Sequence, residues 1–322
     1  GGFYSTSSGT SISAPHVSGG LALLLSAFPN LSVLQQAAAL RSSAVDLGAT
    51  GPDDIYGYGR LDLLSAYYAV DITGPATDGL SLSPNPSNGS TNISLDASVS
   101  DVVAGGSNIL AAEYFIDTAG ANGAGFAMTA SDAAYDSSTE SVSGAIDPTG
   151  LTSGNHDIYV HGQDSAGNWG PFSIVTLVMD LTAPIVISSV RAGAVNPTDA
   201  ANVDFTITFS EPVTGVDSSD FLLTTTAASN VTVSGLSGTG SIYTVTVDTG
   251  SGNGTIRLDV ADDNSILDAA ASSLGGAVAG DGNFTAGEIY TIIKSATFSD
   301  VSLSYWAGSY IERLYIAGIT SG

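Results

Sequence analysis

Residues 203–209 read Val-Asp-Phe-Thr-Ile-Thr-Phe, so apolar and polar side chains alternate at every position. A period of two is typical of a β-strand with one buried face, because successive side chains of a strand point to opposite faces. The same alternation recurs at residues 243–247 and 256–260, and turns rich in Gly, Asp and Asn separate such stretches. This spacing predicts antiparallel β-sandwiches in the second and third parts of the chain.

The beginning of the chain has a helical pattern instead. Residues 12–28 are small and apolar nearly all round, which predicts a helix that is buried on most sides. Ser32 and Gln35 form the pattern of a capping box that opens a second helix over 33–42. A third short helix is predicted over 61–70.

The composition excludes several classes of protein. The 322 residues include 6 Lys and Arg against 31 Asp and Glu, a net charge of −25, which argues against nucleic-acid binding and against anionic membrane surfaces. With 43% apolar residues the chain is too apolar for a disordered acidic tail. It contains no run of about 18 apolar residues, so no membrane span is expected. There is no cysteine, and therefore no disulfide or thiol chemistry.

The charge is spread unevenly and helps to place the domain boundaries. Residues 71–181 contain thirteen acidic residues and no Lys or Arg, and a stretch rich in Pro, Gly, Ser and Asn begins this block and is typical of a linker. The predicted division is residues 1–70, a linker over 71–90, β-sandwiches over 91–181 and 182–295, and a last segment over 296–322.

One segment carries a chemical motif, Ser8-Gly9-Thr10-Ser11-Ile12-Ser13-Ala14-Pro15-His16-Val17-Ser18-Gly19. Gly9 permits a tight turn, and Ser11 stands at the N-terminus of the first predicted helix. A hydroxyl at this point lies beside unpaired backbone N–H groups and the positive end of the helix dipole. The same N–H groups can stabilise an oxyanion that develops next to Ser11.

This segment resembles the nucleophile motif of the subtilisin-like serine peptidases (subtilases, peptidase S8). The resemblance continues through Pro29-Asn30-Leu31-Ser32 and Gly57-Tyr58-Gly59-Arg60-Leu61-Asp62. It implies the end of an α/β catalytic domain, with Ser11 as the serine that forms the acyl-enzyme and a protein or peptide as substrate. In the family the catalytic Asp and His and the oxyanion-hole Asn precede the serine, whereas this chain begins ten residues before Ser11. The resemblance therefore implies a fragment of a serine endopeptidase that is inactive by itself.

The three histidines are not expected to activate Ser11. His16 follows the serine by five residues on the same predicted helix, more than one turn further along, and the resemblance implies a structural role for it. His156 and His161 lie in the second part of the chain, where they are predicted on the surface of a strand.

The second and third parts resemble bacterial Ig-like and fibronectin-III-like modules, which serve as spacers or as ligand-binding modules. Asp281, Asn283 and Glu288 are candidate calcium ligands in the third part, because alternating oxygen side chains suit this ion. Their spacing is not that of an EF-hand, and a solvated acidic turn is the alternative. The predicted hydrolysis requires no cofactor, and calcium is an open option.

The end of the chain, with Phe298-Ser299-Asp300-Val301 and Tyr305-Trp306-Ala307, resembles the opening of an S-layer homology module. Trp306, Tyr310, Leu314 and Ala317 are predicted on one face of its helix. Such modules hold exported proteins on cell-wall polysaccharide. An amphipathic terminal helix without a partner is the alternative.

The predicted fold is therefore multidomain: the C-terminal helical portion of an α/β subtilase domain, two all-β Ig-like sandwiches and a partial helical S-layer homology module. The predicted function is that of a fragment of a secreted, cell-wall-anchored bacterial serine endopeptidase. The alternative is a non-catalytic cell-surface adhesin or structural protein with a degenerate subtilase portion.

Overall fold

The computed structural model describes residues 9–193, 195–295, 298, 300–301, 305–316 and 318–319. About 40% of the chain is strand and 15% is helix. The helices are α1 (Thr10–Ala27), α2 (Val33–Ser42), α3 (Leu63–Tyr68) and α4 (Gly308–Ile316). The strands are β1 (Ala76–Ser83), β2 (Ile93–Ser100), β3 (Ile109–Ile116), β4 (Phe126–Ala127), β5 (Thr129–Ala130), β6 (Thr139–Ile146), β7 (Gly154–Asp164), β8 (Ser173–Met179), β9 (Val186–Ala192), β10 (Asn202–Val213), β11 (Phe221–Thr226), β12 (Thr232–Asp248), β13 (Gly254–Val260) and β14 (Ile289–Ile292). They form four antiparallel sheets.

The first compact unit comprises the described residues up to Asn85 together with Thr91–Gly150 and Gly154–Val178. It contains α1 to α3 and two four-stranded sheets, ordered β1-β2-β6-β5 and β4-β3-β7-β8. The two sheets are in contact. The hydroxyl of Tyr114 on β3 donates to the carbonyl oxygen of Ala145 on β6 at 2.9 Å. Gly162 on β7 has no room for a side chain, since a Cβ there would lie 2.3 Å from the side chain of Val99 on β2.

The three helices of this unit form where the sequence predicts them. The capping box is present: Ser32 Oγ accepts from the N–H of Gln35 at 3.2 Å, and the N–H of Ser32 donates to Gln35 Oε1 at 2.8 Å. The predicted burial of α1 is wrong, because Gly20 and Leu24 are the buried residues of this helix. The helical core is correspondingly small and is formed by Leu24, Leu31 and Ala39.

The second compact unit comprises residues 86–90, 151–153 and the described residues from Met179 onward. It contains two three-stranded sheets, ordered β12-β10-β9 and β11-β13-β14. The alternation at residues 203–209 is confirmed, since all four apolar side chains of this stretch are at most 2% exposed. They join residues of the other sheet in one core, which includes Ile256, Leu258 and Tyr290.

The predicted fold class is wrong. The structure is mostly β with four antiparallel sheets and few helices, and it does not show a helical subtilase portion followed by Ig-like domains and a helical module. The physical reason is that the three N-terminal helices share only a small hydrophobic core among themselves. They form no separate body but belong to the same compact unit as the first two sheets. The domain boundaries themselves remain predictions, and β1 lies within the stretch 71–90 that the sequence suggests as a linker.

The helical face that the sequence predicts at the end of the chain lies only partly on α4, which begins at Gly308. Tyr310 and Leu314 lie on α4 and are 61% and 44% exposed, whereas Trp306 precedes the helix and is 77% exposed. Ala317, the fourth member of that face, and Ser299 of the opening motif lie outside the described residues. No helix in the described ranges combines the length and the apolar composition that crossing a bilayer requires.

Candidate active site

The structure places Ser11 in the first turn of α1, which begins at Thr10. Gly9 precedes the helix with φ 131°, a backbone conformation that residues with a Cβ rarely adopt. Its carbonyl oxygen accepts from the N–H groups of Ile12 and Ser13 at 2.9 and 3.2 Å. Within the described part of the chain no backbone carbonyl accepts from the N–H groups of Thr10 and Ser11, which are of the kind that can bind an anion at a helix N-terminus.

Ser11 is exposed, and a groove of about 500 Å³ runs beside its helix. The groove is lined by Gly9, Ile12, Ser13, His16 and Val17 from α1 and by Gly59, Arg60 and Leu61. The second set of residues belongs to a loop that lies against the helix at Gly20, where a Cβ would be 2.9 Å from Leu61 Cδ2. Gly59 serves a different contact, since a Cβ there would lie 2.2 Å from the carbonyl oxygen of Val45.

His16 makes a bond within its own helix. Its Nδ1 lies 2.8 Å from the carbonyl oxygen of Ile12, four residues earlier, and must carry a proton in order to donate there. Among the described residues no hydrogen bond joins His16 to Ser11. The His16 side chain therefore stabilises the first turns of α1 by a hydrogen bond within the helix.

The predicted surface position of the other two histidines is wrong. His156 and His161 on β7 are 7% and 1% exposed. His156 Nδ1 contacts the carboxylate of Asp117 at 2.9 Å, and His161 Nε2 contacts Glu113 Oε1 at 2.8 Å. Both imidazoles are therefore engaged in the first unit, His161 with the buried carboxylate of Glu113 and His156 with the exposed carboxylate of Asp117.

The candidate calcium ligands are engaged in separate contacts. Asn283 Oδ1 accepts from the N–H of Asp262 at 2.8 Å. Glu288 Oε2 accepts from the backbone N–H and the Nε of Arg191 at 2.9 and 3.2 Å, and these bonds lower the pKa of Glu288. Asp281 is exposed. A joint calcium site of these three residues stays a prediction.

Carboxylates gather elsewhere, in two groups that the sequence analysis missed. Over the described ranges, groups of three or more possible metal-binding side chains are formed by Asp71, Asp101 and Asp164 and by Asp180, Glu211 and Asp268. In each group one oxygen from every residue lies within 4.8 Å of the others. The one sequence signal for the first group is the lack of Lys and Arg between Arg60 and Arg191, which leaves its carboxylates without a basic neighbour along the chain.

Comparison with known proteins finds the Subtilase family (peptidase S8) at residues 1–59. An extracellular serine protease of Serratia marcescens is 43% identical over 72 residues, which are 22% of this chain and 6% of that protein. Fervidolysin of Fervidobacterium pennivorans is 42% identical over 66 residues, which are 20% of this chain and 9% of that protein. The N-terminal part thus has a subtilisin-like protease origin, and the chain spans less than a tenth of these relatives.

Solved structures resemble the chain only weakly. A chimeric titin Z1Z2 that carries an exogenous peptide from decorin aligns with 61% of this chain and 93% of its own at 11% identity, with a TM-score of 0.27. The D00-D0 domain of intimin aligns with 66% of this chain and 99% of its own at 12% identity, with a TM-score of 0.22. These scores are too low to support a statement about the fold.

Proposed function

We propose that this chain is part of a subtilisin-like serine endopeptidase in which Ser11 is the nucleophile. The observation that carries the proposal is the position of Ser11 two residues after Gly9, in the first turn of a helix, inside the segment that matches the Subtilase family. A serine at such a position has both the exposure for attack and donors for a developing negative charge.

The proposed reaction is hydrolysis of a peptide bond through an acyl-enzyme. The Oγ of Ser11 attacks the scissile carbonyl carbon while a base removes the hydroxyl proton, and the N–H groups at the helix start help to hold the oxyanion. The C–N bond then breaks, the amine leaves with the proton, and water cleaves the ester in the second half of the reaction.

The base has to come from outside the described residues of this chain. None of the three histidines forms a hydrogen bond with Ser11 in the described structure, and His156 and His161 are buried against carboxylates. We expect the triad Asp and His and the oxyanion-hole Asn to come from a preceding part of the protein, as the family order implies. The present chain is then inactive by itself.

The apolar surface of the helices supports a larger catalytic domain. Leu23 on α1, Val33 on α2 and Leu64 on α3 are 64%, 78% and 68% exposed. A groove of about 300 Å³ between α1 and α3 is lined entirely by Leu23, Leu24, Leu63, Leu64 and Tyr67. Helices in α/β folds bury such faces against a parallel sheet, and we expect the remainder of the catalytic domain to supply one.

Export and attachment to a bacterial cell wall complete the proposal. Two of the relatives are named as extracellular serine proteases, and a net charge of −25 suits an exposed exterior, where like charges keep a protein soluble. The segment over 296–322 would begin the S-layer homology module that binds cell-wall polysaccharide, with the exposed Trp306 and Tyr310 as part of its incomplete apolar face.

The test of Ser11 uses the complete protein that contains this chain and an active-site-directed fluorophosphonate. We expect the reagent to label Ser11, and Ser11→Ala to remove both labelling and proteolysis. Ser18→Ala is the matched control, since Ser18 is another exposed serine of α1 and bonds to the carbonyl oxygen of Ala14. Labelling that persists in Ser11→Ala overturns the assignment, and a folded complete protein that is never labelled favours the adhesin alternative.

Attachment is tested by sedimentation with purified cell wall. We expect the complete protein to co-sediment and this chain alone to stay in solution. Deleting residues 296–322 from the complete protein should weaken its binding by interrupting the first module. Binding of this chain that survives the same deletion would place the wall-binding surface in the sheets and contradict the anchor.

A further inference from the structure

Three acidic side chains from distant parts of the first unit meet at one point. Asp71 lies between α3 and β1, Asp101 follows β2 directly, and Asp164 is the last residue of β7. One oxygen of each lies within 4.8 Å of the others. Asp101 and Asp164 have no exposed surface at all, and Asp71 is partly buried.

The negative charge of this group has no basic partner nearby in sequence. Residues 61–190 contain neither Lys nor Arg, and the ion pairs of the described structure do not include these three aspartates. Asp101 and Asp164 are fully buried, and burial of a carboxylate without a basic partner is costly. Carboxylates are rarely gathered in this way unless something neutralises them.

One oxygen of the group is left without a partner. Asp101 Oδ2 accepts from the N–H of Ser107 at 2.7 Å, but Oδ1 is buried and has no hydrogen-bond partner. The oxygens of Asp164 accept from the backbone N–H and the Nδ2 of Asn168 at 2.8 and 2.9 Å. An unpaired buried carboxylate oxygen beside two other carboxylates is what a cation would satisfy.

The surrounding loop is shaped around the carboxylate of Asp71. A Cβ on Gly105 would lie 2.2 Å from this carboxylate, so a side chain at this position would displace the carboxylate of Asp71. The hydroxyl of Ser107 donates to Asp71 Oδ2 at 2.5 Å, and Asn168 Nδ2 donates to Asp71 Oδ1 at 3.3 Å. The three carboxylates are therefore held in place by their neighbours.

We propose that Asp71, Asp101 and Asp164 form a calcium site that ties the segment after α3 to the ends of β2 and β7. All the donors are oxygens, which suits a hard divalent cation, and a separation of up to 4.8 Å is about twice a Ca–O distance of roughly 2.4 Å. Magnesium demands a stricter octahedron and usually keeps several waters, so a site formed by buried protein carboxylates favours calcium. The inference does not depend on the serine chemistry.

The test is calorimetric titration of the full chain with calcium chloride, together with thermal unfolding in calcium and in EDTA. The unaltered chain should bind calcium and unfold at a higher temperature in its presence. Asp101→Asn should weaken calcium binding at this site at least about tenfold and reduce the calcium-dependent shift. Asp101→Asn should still fold in EDTA, because it removes one of three mutually repelling charges.

Three further variants distinguish binding at this site from non-specific binding of calcium to acidic residues. Asp96→Asn changes an exposed aspartate of β2 and should bind calcium like the unaltered chain. Asp268→Asn alters the other acidic group and should leave the binding that depends on Asp101 in place. Gly105→Ala should weaken binding without altering any ligand. Calcium binding with equal stoichiometry and affinity in Asp101→Asn and Asp164→Asn, or no binding by the unaltered chain, overturns the proposal.

Discussion

His161 Nε2 on β7 lies 2.8 Å from Glu113 Oε1 on β3, and the two residues are 1% and 4% exposed. They stand directly opposite each other in the antiparallel pairing of the two strands. His161 Nδ1 lies 3.1 Å from the carbonyl oxygen of Gly170, so each ring nitrogen faces an oxygen atom. The imidazole also stacks between Trp169 and Phe172, with centroid distances of 4.5 and 4.0 Å.

Glu113→Gln is expected to destabilise the first unit by about 3–5 kcal/mol, because it leaves the buried imidazole without its charged partner. The carboxylate also accepts from the N–H groups of Gly123 and Gly125, at 2.8 Å each, and an amide cannot accept in all of these bonds. Urea unfolding measures the loss. Glu288→Gln is the control, since its pair with Arg191 is exposed and screened by solvent, so its removal should cost much less. Equal losses in the two variants would contradict a buried ion pair.

Ser32→Ala is expected to cost about 1 kcal/mol of stability, since it removes the side-chain half of the capping box at the start of α2. Thermal or urea unfolding of the chain checks this value. Ser26→Ala, an exposed change in the last part of α1, should be neutral or slightly stabilising because alanine is the better helix former. An unchanged stability in Ser32→Ala would show that α2 is held by its packing alone.

The Arg257–Asp259 pair on β13 should make the free energy of unfolding depend on pH in the acidic range. Burial raises the pKa of Asp259, but hydrogen bonds from Arg257 and Thr224 more than reverse this effect, so the pKa lies below its ordinary value of 3.8. The ionised carboxylate therefore adds stability above pH 3.8, and this contribution is lost as the pH falls through the lowered pKa. Asp259→Asn should lose about 1–3 kcal/mol at neutral pH and show a weaker acid transition. Urea unfolding at several pH values tests this, and an acid transition of unchanged size would contradict it.

Trypsin should cut this chain first in the N-terminal helical segment or near the C-terminus of the chain. Arg41, Arg60 and Arg313 are exposed, whereas Arg191 and Arg257 lie within β9 and β13. The small core of α1 to α3 should open more readily than the sheets. Mass spectrometry of a short digest should therefore show a product that begins at residue 61. Early cleavage after Arg191 or Arg257 would show instead that the sheets open first.

The sequence by itself determined the local elements. Alternation predicted the buried face of residues 203–209, and the Ser32–Gln35 pattern predicted both the start of α2 and its two capping bonds. The Ser11 motif predicted a helix start and a family match at residues 1–59. These features depend on residues close together in the chain, where backbone hydrogen bonding and side-chain period leave few alternatives.

Only the tertiary structure decided which distant residues meet and which faces are covered. The register of β3 on β7 places His161 opposite Glu113 inside the unit, although its own stretch of sequence suggests a surface position. The path of the chain in the folded unit likewise brings Asp71, Asp101 and Asp164 together from three separate segments. The predictions of a buried α1 and of the fold class failed for the same reason. An apolar helix is buried only if another element lies against it. Strand pairing and layer packing supply such partners over long sequence separations, and local periodicity contains no information about them.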